Sequence, residues 1–312
     1  VTLRPKLSVV LLTFNGRPLV DETLASLHGL HDDCEFLVVD SGSTDGTLER
    51  IRSLPLRAPL RMHTVPRDVS WVAKSTIGIE LAAAEHVALL HQDDLWLPGK
   101  VEAVLQWIEE DPAAVLHYHP VDFIDVRSRV VGSWRPPGPC RVSRPTRQAF
   151  GRALVVQNFL AVVGCVFRKD AALACGGWNP ALGYACDWDF WLRLSERGHV
   201  RYHPTVLARY RVHGQSVTST AGGKLSSFMS ECRETASAAL RRAPEIYRPR
   251  DVVLALTATQ LSETFGNLFF RRWGSAVRGA FPLLCHPWRA VEAAWKARFL
   301  ERALSRAKAL LR

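Results

Sequence analysis

Along the first hundred residues, short unbroken apolar runs alternate with apolar residues at helical spacing. Leu7–Thr13 (LSVVLLT) is a continuous run rich in β-branched residues, as in a strand buried on both faces of a parallel sheet. Residues 18–30 then place Leu19, Val20, Thr23, Leu24, Leu27 and Leu30 at helical spacing, and 35–40 (EFLVVD) read as a second buried strand. The segment SGSTDGT that follows has loop chemistry and leads into a helix near 46–54. The rhythm continues with a strand near 60–65, a helix near 71–84 and a strand at 86–90 that runs into HQDDLW. Such alternation predicts an open, mostly parallel α/β sheet that places ligands at the carboxyl ends of its strands.

Beyond this point the pattern predicts a helix over 98–110, a strand over 115–119 and a four-proline loop over 132–148, placed to cover a site. Strand character returns at 160–167, a Gly-Gly turn stands at 176–177, 187–196 is helical, and 202–212 reads as β. After about Gly222 the chain turns to helices rich in Ala, Leu and Arg, which divides it into a main domain over 1–220 and a basic helical extension over 221–312. The last segment, 290–312, is amphipathic: Val291, Trp295, Leu300, Leu304 and Leu311 share one face, with Arg and Lys on the other. Packing of that face on the main domain is expected, in preference to a membrane surface.

Composition narrows the class. The 312 residues are 47% hydrophobic and 22% charged, an ordinary globular balance with enough apolar material for a sizeable core. No stretch approaches the roughly 18 apolar residues of a spanning helix, and the run near the start is too brief for a signal segment. The seven cysteines are scattered without a C-x-x-C pair, which argues against zinc or dithiol chemistry and for a reduced compartment. A cytoplasmic protein, free or peripheral at the inner face of the cell membrane, is the expectation. Net charge is +10, and nearly all the excess is C-terminal: residues 1–220 hold 24 basic and 23 acidic side chains, residues 221–312 hold 16 and 7. Either the extension presents solvated faces or it meets anionic lipid or a phosphorylated acceptor. The basic extension alone, without finger or interleaved aromatic motifs, does not predict a nucleic-acid partner.

Acidic residues mark the candidate chemistry. Asp40, Asp93 with Asp94, and Asp187 with Asp189 stand at strand ends or adjoining turns. A carboxylate there is costly unless it is paired, hydrogen-bonded or bound to a cation. Asp40 either serves a ligand or organises an Asx turn in DSGSTDGT. Asp93 and Asp94 either hold magnesium or manganese, with substrate phosphates completing the sphere, or cap the helix that starts near Pro98. His213 in YRVHGQS is a further candidate ligand.

The order of these motifs resembles glycosyltransferase family 2, over about residues 7–219. The resemblance implies the GT-A, or nucleotide-diphospho-sugar transferase, fold: a Rossmann-like, mostly parallel central sheet flanked by helices, here with a C-terminal helical extension. SVVLLTFNG at 8–16 and EFLVVDSGSTDGT at 35–47 look like the nucleotide-binding strands, implying that Thr13, Asn15, Asp40 and Ser43 line the nucleoside pocket. The stretch 71–101 is similar to the family's segment from its phosphate-side basic residue through its metal motif. Lys74 stands where the family commonly has Arg, Asp93 matches the metal-binding Asp, and Gln92 and Asp94 flank it on the substrate side. GGWNPALGYACDWDFWLRL at 176–194 looks like the acceptor motif, implying Asp187 as general base with Gly164 and Trp188 also at the substrate. YRVHGQSVTS resembles the closing motif, whose His213 approaches metal and diphosphate. Three departures stand out: His91 where Asp usually opens the metal motif, Lys74-Ser75 for Arg-Asn, and Cys186 where Glu commonly precedes the base.

The reading implied is a metal-dependent, inverting transfer of a sugar from a UDP-, GDP- or dTDP-sugar to an acceptor hydroxyl. The acceptor would be a saccharide, a lipid-linked glycan or a small natural product, as in polysaccharide biosynthesis. Its cofactor would be Mn2+ or Mg2+, and contact with a membrane through the basic helices fits the lipid-linked case. A non-catalytic sugar-nucleotide binder is the rival that His91 and Cys186 motivate. A nucleotidyltransferase fits less well, because LLTFNGRPL offers only Gly16 where a phosphate loop is Gly-rich.

Overall fold

A computed structural model describes residues 4–27, 29–213, 225–269 and 271–301. Its strands are β1 (Leu7–Thr13), β2 (Cys34–Asp40), β3 (Leu60–Thr64), β4 (His86–His91), β5 (Leu95–Trp96), β6 (Leu116–Tyr118), β7 (Val121–Ile124), β8 (Val130–Trp134), β9 (Cys165–Arg168), β10 (Val200–Tyr202) and β11 (Ala208–Arg211). The helices of the first two thirds are α1 (Leu19–Ala25), α2 (Thr47–Arg52), α3 (Trp71–Leu81), α4 (Lys100–Glu110), α5 (Arg147–Val156), α6 (Lys169–Ala174) and α7 (Cys186–Ser195). The extension adds α8 (Leu225–Arg242), α9 (Pro249–Phe269), α10 (Trp273–Cys285) and α11 (Pro287–Lys296).

Seven strands form one sheet in the order β10-β6-β9-β4-β1-β2-β3, and four form a second in the order β5-β11-β7-β8. Pairing is parallel from β4 through β1 and β2 to β3, whereas β9 runs antiparallel to both β4 and β6. All residues of β1 and β2 are buried, which is why they read as unbroken apolar runs: helices cover both faces of the parallel part. Helix α3 crosses so closely that a Cβ on Gly78 would lie 2.5 Å from Val10 Cγ1. The register sets Thr13 opposite Asp40 and Leu12 opposite His91, so the ends of β1, β2 and β4 form one polar edge. This is the mostly parallel, helix-flanked α/β architecture that the alternation predicts.

Several local expectations shift. The β run expected at 202–212 splits around Pro204: β10 joins the large sheet beside β6, and β11 joins the small sheet between β5 and β7. The proline-rich segment 132–148 is more ordered than its composition suggests. It contains the end of β8 and a short 3-10 turn, and Thr146 then caps α5 by accepting from the Ala149 amide at 3.2 Å. The expected strand at 160–167 begins as a 3-10 turn over 162–164 and becomes β9 only at Cys165.

The core does not stop at the main domain. Cys232, Ala236 and Ala239 of α8, Ile246 and Tyr247, and Leu254, Ala255 and Ala258 of α9 belong to the same buried cluster as the sheet. Residue 220 itself lies outside the described residues. The final helix overturns the packing expected of it: Ala293 and Ala297 are buried, but Val291, Trp295 and Leu300 are exposed, while Leu304 and Leu311 lie outside the described residues.

Candidate active site

At the ends of β1 and β2 a closed hydrogen-bond network forms. Thr13 Oγ1 donates to Asp40 Oδ2 at 2.7 Å, Ser43 Oγ donates to the same oxygen at 2.5 Å, and the Ser43 amide donates to Asp40 Oδ1 at 2.7 Å. Asp40 thus organises the turn after β2 and also fixes the neighbouring strand end; the Asx-turn reading describes part of its work. The Asn15 amide donates to Ser43 Oγ at 2.8 Å, and Asn15 Oδ1 accepts from the Thr44 amide at 2.9 Å. Asn15 holds φ +46, a left-handed conformation that Asn tolerates better than most residues. Lys74, buried on α3, donates from Nζ to the Thr13 carbonyl at 2.7 Å. Burial lowers its pKa, against the opposing charge of Asp40.

Gln92 clamps the same loop from the turn after β4: its Oε1 accepts from the Phe14 amide at 2.8 Å and its Nε2 donates to the Phe14 carbonyl at 3.2 Å. Residues 13–16, 40–47, 74 and 92 therefore form one rigid edge rather than three separate motifs. Phe14 extends it, with the Arg67 guanidinium 5.1 Å over its ring. Neither residue was singled out by the sequence pattern, since a lone aromatic and a loop arginine carry no period.

The two adjacent carboxylates after β4 have opposite fates. Asp93 keeps a partly exposed side chain whose Oδ2 lies 2.9 Å from His213 Nε2. Burial alone would raise its pKa, but the hydrogen bond from His213 and the charges of His91 and His213 hold it below the ordinary value. Asp94 turns inward, 1% exposed, with Oδ1 accepting from the Arg211 amide at 2.9 Å. Burial first, and then the neighbouring Asp93, push its pKa well above the usual carboxylate range. One of the pair is thus kept charged and the other favours the neutral form.

Arg211 at the end of β11, itself 1% exposed, fastens this turn. It donates to the carbonyl oxygens of Asp93 (2.8 Å) and Asp125 (3.1 Å), to Ser128 Oγ (3.0 Å) and to Glu22 Oε2 (3.0 Å). The sequence offers no hint of this, because an arginine in ARYR looks like any exposed strand residue.

Asp187 lies in the first turn of α7, where a carboxylate is favoured by the helix dipole. Its Oδ1 accepts from the Trp188 amide at 2.7 Å, and its Oδ2 accepts from Asn158 Nδ2 at 2.9 Å. Asn158 follows α5 and is fixed in turn by accepting from the Leu160 amide at 3.0 Å. Ahead of α7 the backbone amides of Gly183, Tyr184 and Ala185 all point at one carboxylate, that of Glu231 on α8, at 3.1, 2.7 and 3.0 Å. Cys186 cannot serve as such an acceptor: it is fully buried, and burial raises its thiol pKa far above the ordinary value. A carboxylate does meet the loop before Asp187, but it comes from 45 residues downstream of Cys186.

The segment before α7 reaches the sheet edge through edge-to-face rings. Trp178 contacts Trp71 edge-on at 5.5 Å, and Trp71 contacts His91 edge-on at 5.5 Å. The Trp178 amide also donates to Thr76 Oγ1 of α3 at 3.0 Å. The remaining sequence candidates sit in the framework. Trp188 is 5% exposed and donates from Nε1 to the Leu154 carbonyl at 2.7 Å. Asp189 pairs with Arg193 one turn on, at 2.6 Å. A Cβ on Gly164 would come within 3.0 Å of the His119 carbonyl oxygen and 2.8 Å of Val121 Cγ1, so the residue allows two backbone segments to touch.

Comparison with known proteins gives concordant findings. The model of the glycosyl transferase family 2 matches residues 8–174. A putative teichuronic acid biosynthesis glycosyltransferase of Bacillus subtilis, TuaG, is 30% identical over 222 residues, which are 69% of this chain and 82% of that protein. Among solved structures, S. aureus TarS 1–349 in complex with UDP-GlcNAc superposes with a TM-score of 0.59 at 14% identity, covering 93% of this chain and 91% of that one. The mannosyltransferase PcManGT of Pyrobaculum calidifontis, in complex with GDP-Man and Mn2+, does so with a TM-score of 0.59 at 18% identity, covering 99% and 85%.

Proposed function

Because this chain belongs to glycosyl transferase family 2 and has its GT-A fold, we propose that it moves a sugar from a nucleotide diphosphate to an acceptor hydroxyl with inversion. The observation that carries the mechanism is Asp187, a carboxylate at the start of α7 held by Asn158, with the segment before the helix seated through Trp178 and Trp71 against the polar sheet edge. Asp187 takes the proton of the acceptor hydroxyl as that oxygen attacks the anomeric carbon, and the diphosphate departs on the opposite side. Inversion follows from that opposition.

The donor falls to the edge formed by Thr13, Asn15, Asp40 and Ser43, with the ammonium of Lys74 beneath it. TarS and PcManGT, whose structures hold a UDP-sugar and a GDP-sugar, support this placement by fold alone. Asp93 and His213 are the residues that would hold a divalent cation: a carboxylate and an imidazole that face each other at 2.9 Å, the imidazole giving up its hydrogen bond to Asp93 to do so. No cluster of three or more His, Cys, Asp or Glu side chains suited to a metal exists among the described residues, so the cation would need oxygens of the donor diphosphate beside these two side chains. Held there, Mn2+ or Mg2+ would supply positive charge at the departing diphosphate. Asp94, turned inward and bonded to the Arg211 amide, shapes that turn from behind.

The acceptor is a saccharide, a lipid-linked glycan or a small molecule, and the basic extension favours the lipid-linked class. Thermal-shift measurements with UDP-, GDP- and dTDP-sugars, with and without manganese, test the assignment. A cognate donor at about a hundred times its Kd should stabilise the fold by about 2.7 kcal/mol, and manganese should enlarge the effect. Failure of every nucleotide to move the melt would overturn the donor site.

A further inference from the structure

The four apolar side chains Trp273, Val277, Phe281 and Leu284 of α10 are 64–76% exposed. At 3.6 residues per turn they fall within about 80° of arc, a single stripe along the helix. Trp288, Val291 and Trp295 of α11, 62–85% exposed, fall within about 60° in the same way. Isolated exposed apolar residues are common, but two consecutive helices each showing a continuous aromatic-rich stripe mark an interaction surface.

The surrounding charge identifies the occupant. Residues 271–301 contain six Arg and Lys against Glu292 and Glu301. Both acids are already paired, Glu292 with Arg250 (2.9 Å) and Lys296 (3.2 Å), Glu301 with Arg298. The surface is therefore net positive. A second copy docking by the same face would bring like charge against like charge, whereas an anionic bilayer supplies the complement. A groove of about 390 Å3 between α9 and α11 is lined by Trp288, Arg289 and the Arg250–Glu292 pair, and Arg289 is the cation there for a headgroup. No described helix is long and apolar enough to cross a membrane, so the stripes can only lie in its surface.

We propose that α10 and α11 form an interfacial anchor that seats the protein on an anionic lipid bilayer through Trp273, Phe281, Trp288 and Trp295, with the flanking arginines at the headgroups. The anchor deepens the lipid-linked reading of the acceptor and is continuous with the acceptor side. Helix α11 packs on α5, and Arg298 donates to the carbonyl oxygens of Arg135 and Pro136 in the segment ahead of it. Helix α5 in turn leads to Asn158, the partner of Asp187. A bilayer under α10 and α11 would thus hold the base at a fixed height above the lipid.

Flotation of the full chain with equimolar phosphatidylglycerol and phosphatidylcholine vesicles, against pure phosphatidylcholine vesicles, tests the anchor. Wild type should float with the anionic vesicles, less at high salt. The triple variant Trp273→Ser, Trp288→Ser, Trp295→Ser should lose binding by about tenfold or more, since interfacial affinity scales with buried apolar area. Arg278→Glu with Arg289→Glu should weaken anionic binding while leaving the tryptophans in place. All five positions are exposed, so the melting temperature and the donor-induced shift should survive in both variants. No flotation of wild type, unchanged flotation of the triple variant, or a wild-type dimer that the triple variant dissolves without any vesicle binding would each overturn the proposal. Vesicle binding by a chain that responds to no nucleotide would support the anchor and sink the donor site instead.

Discussion

The two regions proposed above, a donor edge and an acceptor side, are built by different means. The donor edge comes from the ends of adjacent strands and the loops directly after them, so its parts are close in sequence and each carries a local pattern. Thr13, Asn15, Asp40, Ser43 and Gln92 bond almost entirely to one another and to the intervening backbone. The acceptor side is assembled from afar: Asp187 depends on Asn158, and the loop before it depends on Glu231 of the extension. Donor binding should accordingly tolerate damage to the acceptor side, and catalysis should fail when either is disturbed.

The largest expected effect tests that separation directly. Asp187→Asn should lower transfer by about a thousandfold, within the range for loss of a general base, while the donor-induced thermal shift stays near wild type. Asp40→Ala should do the reverse to binding, because it strips the acceptor from Thr13 Oγ1, the Ser43 amide and Ser43 Oγ together. Its donor shift should vanish, and calorimetric titration would check it. A lost donor shift in Asp187→Asn would erase the distinction between the two regions.

Next in size is Arg211→Met, which strikes the turn between the regions. The Glu22 carboxylate it leaves is nearly half exposed, so the ion pair itself contributes little. The cost lies in the carbonyl oxygens of Asp93 and Asp125, which lose a buried charged donor. A loss of about 3 kcal/mol in denaturant-derived stability is expected, with manganese-dependent activity falling more than the fold does. Glu231→Gln should be milder: it retains an oxygen for one or two amides but removes the charge from the start of α7. About 1–2 kcal/mol of stability and roughly tenfold in kcat are expected, with KM for the donor unchanged. A raised donor KM in that variant would show that the extension supports both regions equally.

What the sequence revealed follows the same division. Buried parallel strands and their terminal polar residues announce themselves by unbroken apolar runs, and the two-faced burial of β1 and β2 is the cause. Arg211, Asn158 and Glu231 were invisible because a side chain's long-range partner leaves no local trace. The split of 202–212 into two sheets and the cap on α5 were missed for the same reason, since tertiary pairing decided them. Cys186 illustrates the point from the other side: read in sequence it is a missing carboxylate, whereas in space Glu231 accepts the three amides just before it.

The smallest effect should discriminate most finely between positioning and packing. In Asn158→Asp a carboxylate replaces the amide donor 2.9 Å from Asp187 Oδ2, so two acidic groups share one site. Like charge disfavours ionisation, and Asp187 must be ionised to accept a proton; the acidic limb of kcat/KM therefore moves to higher pH, by about one unit. Well above that limb both carboxylates are ionised, and the variant loses only orientation, so activity should recover toward that of Asn158→Ala, within about tenfold of wild type. Asn158→Ala removes the donor without adding charge and should lower the plateau with little movement of the limb. If Asp187 is not the group that titrates on that limb, neither variant shifts it and both lose activity in proportion to stability. A limb that moves in Asn158→Asp and stays in Asn158→Ala ties the proton-accepting step to Asp187, on the side of the molecule that the sequence left least defined.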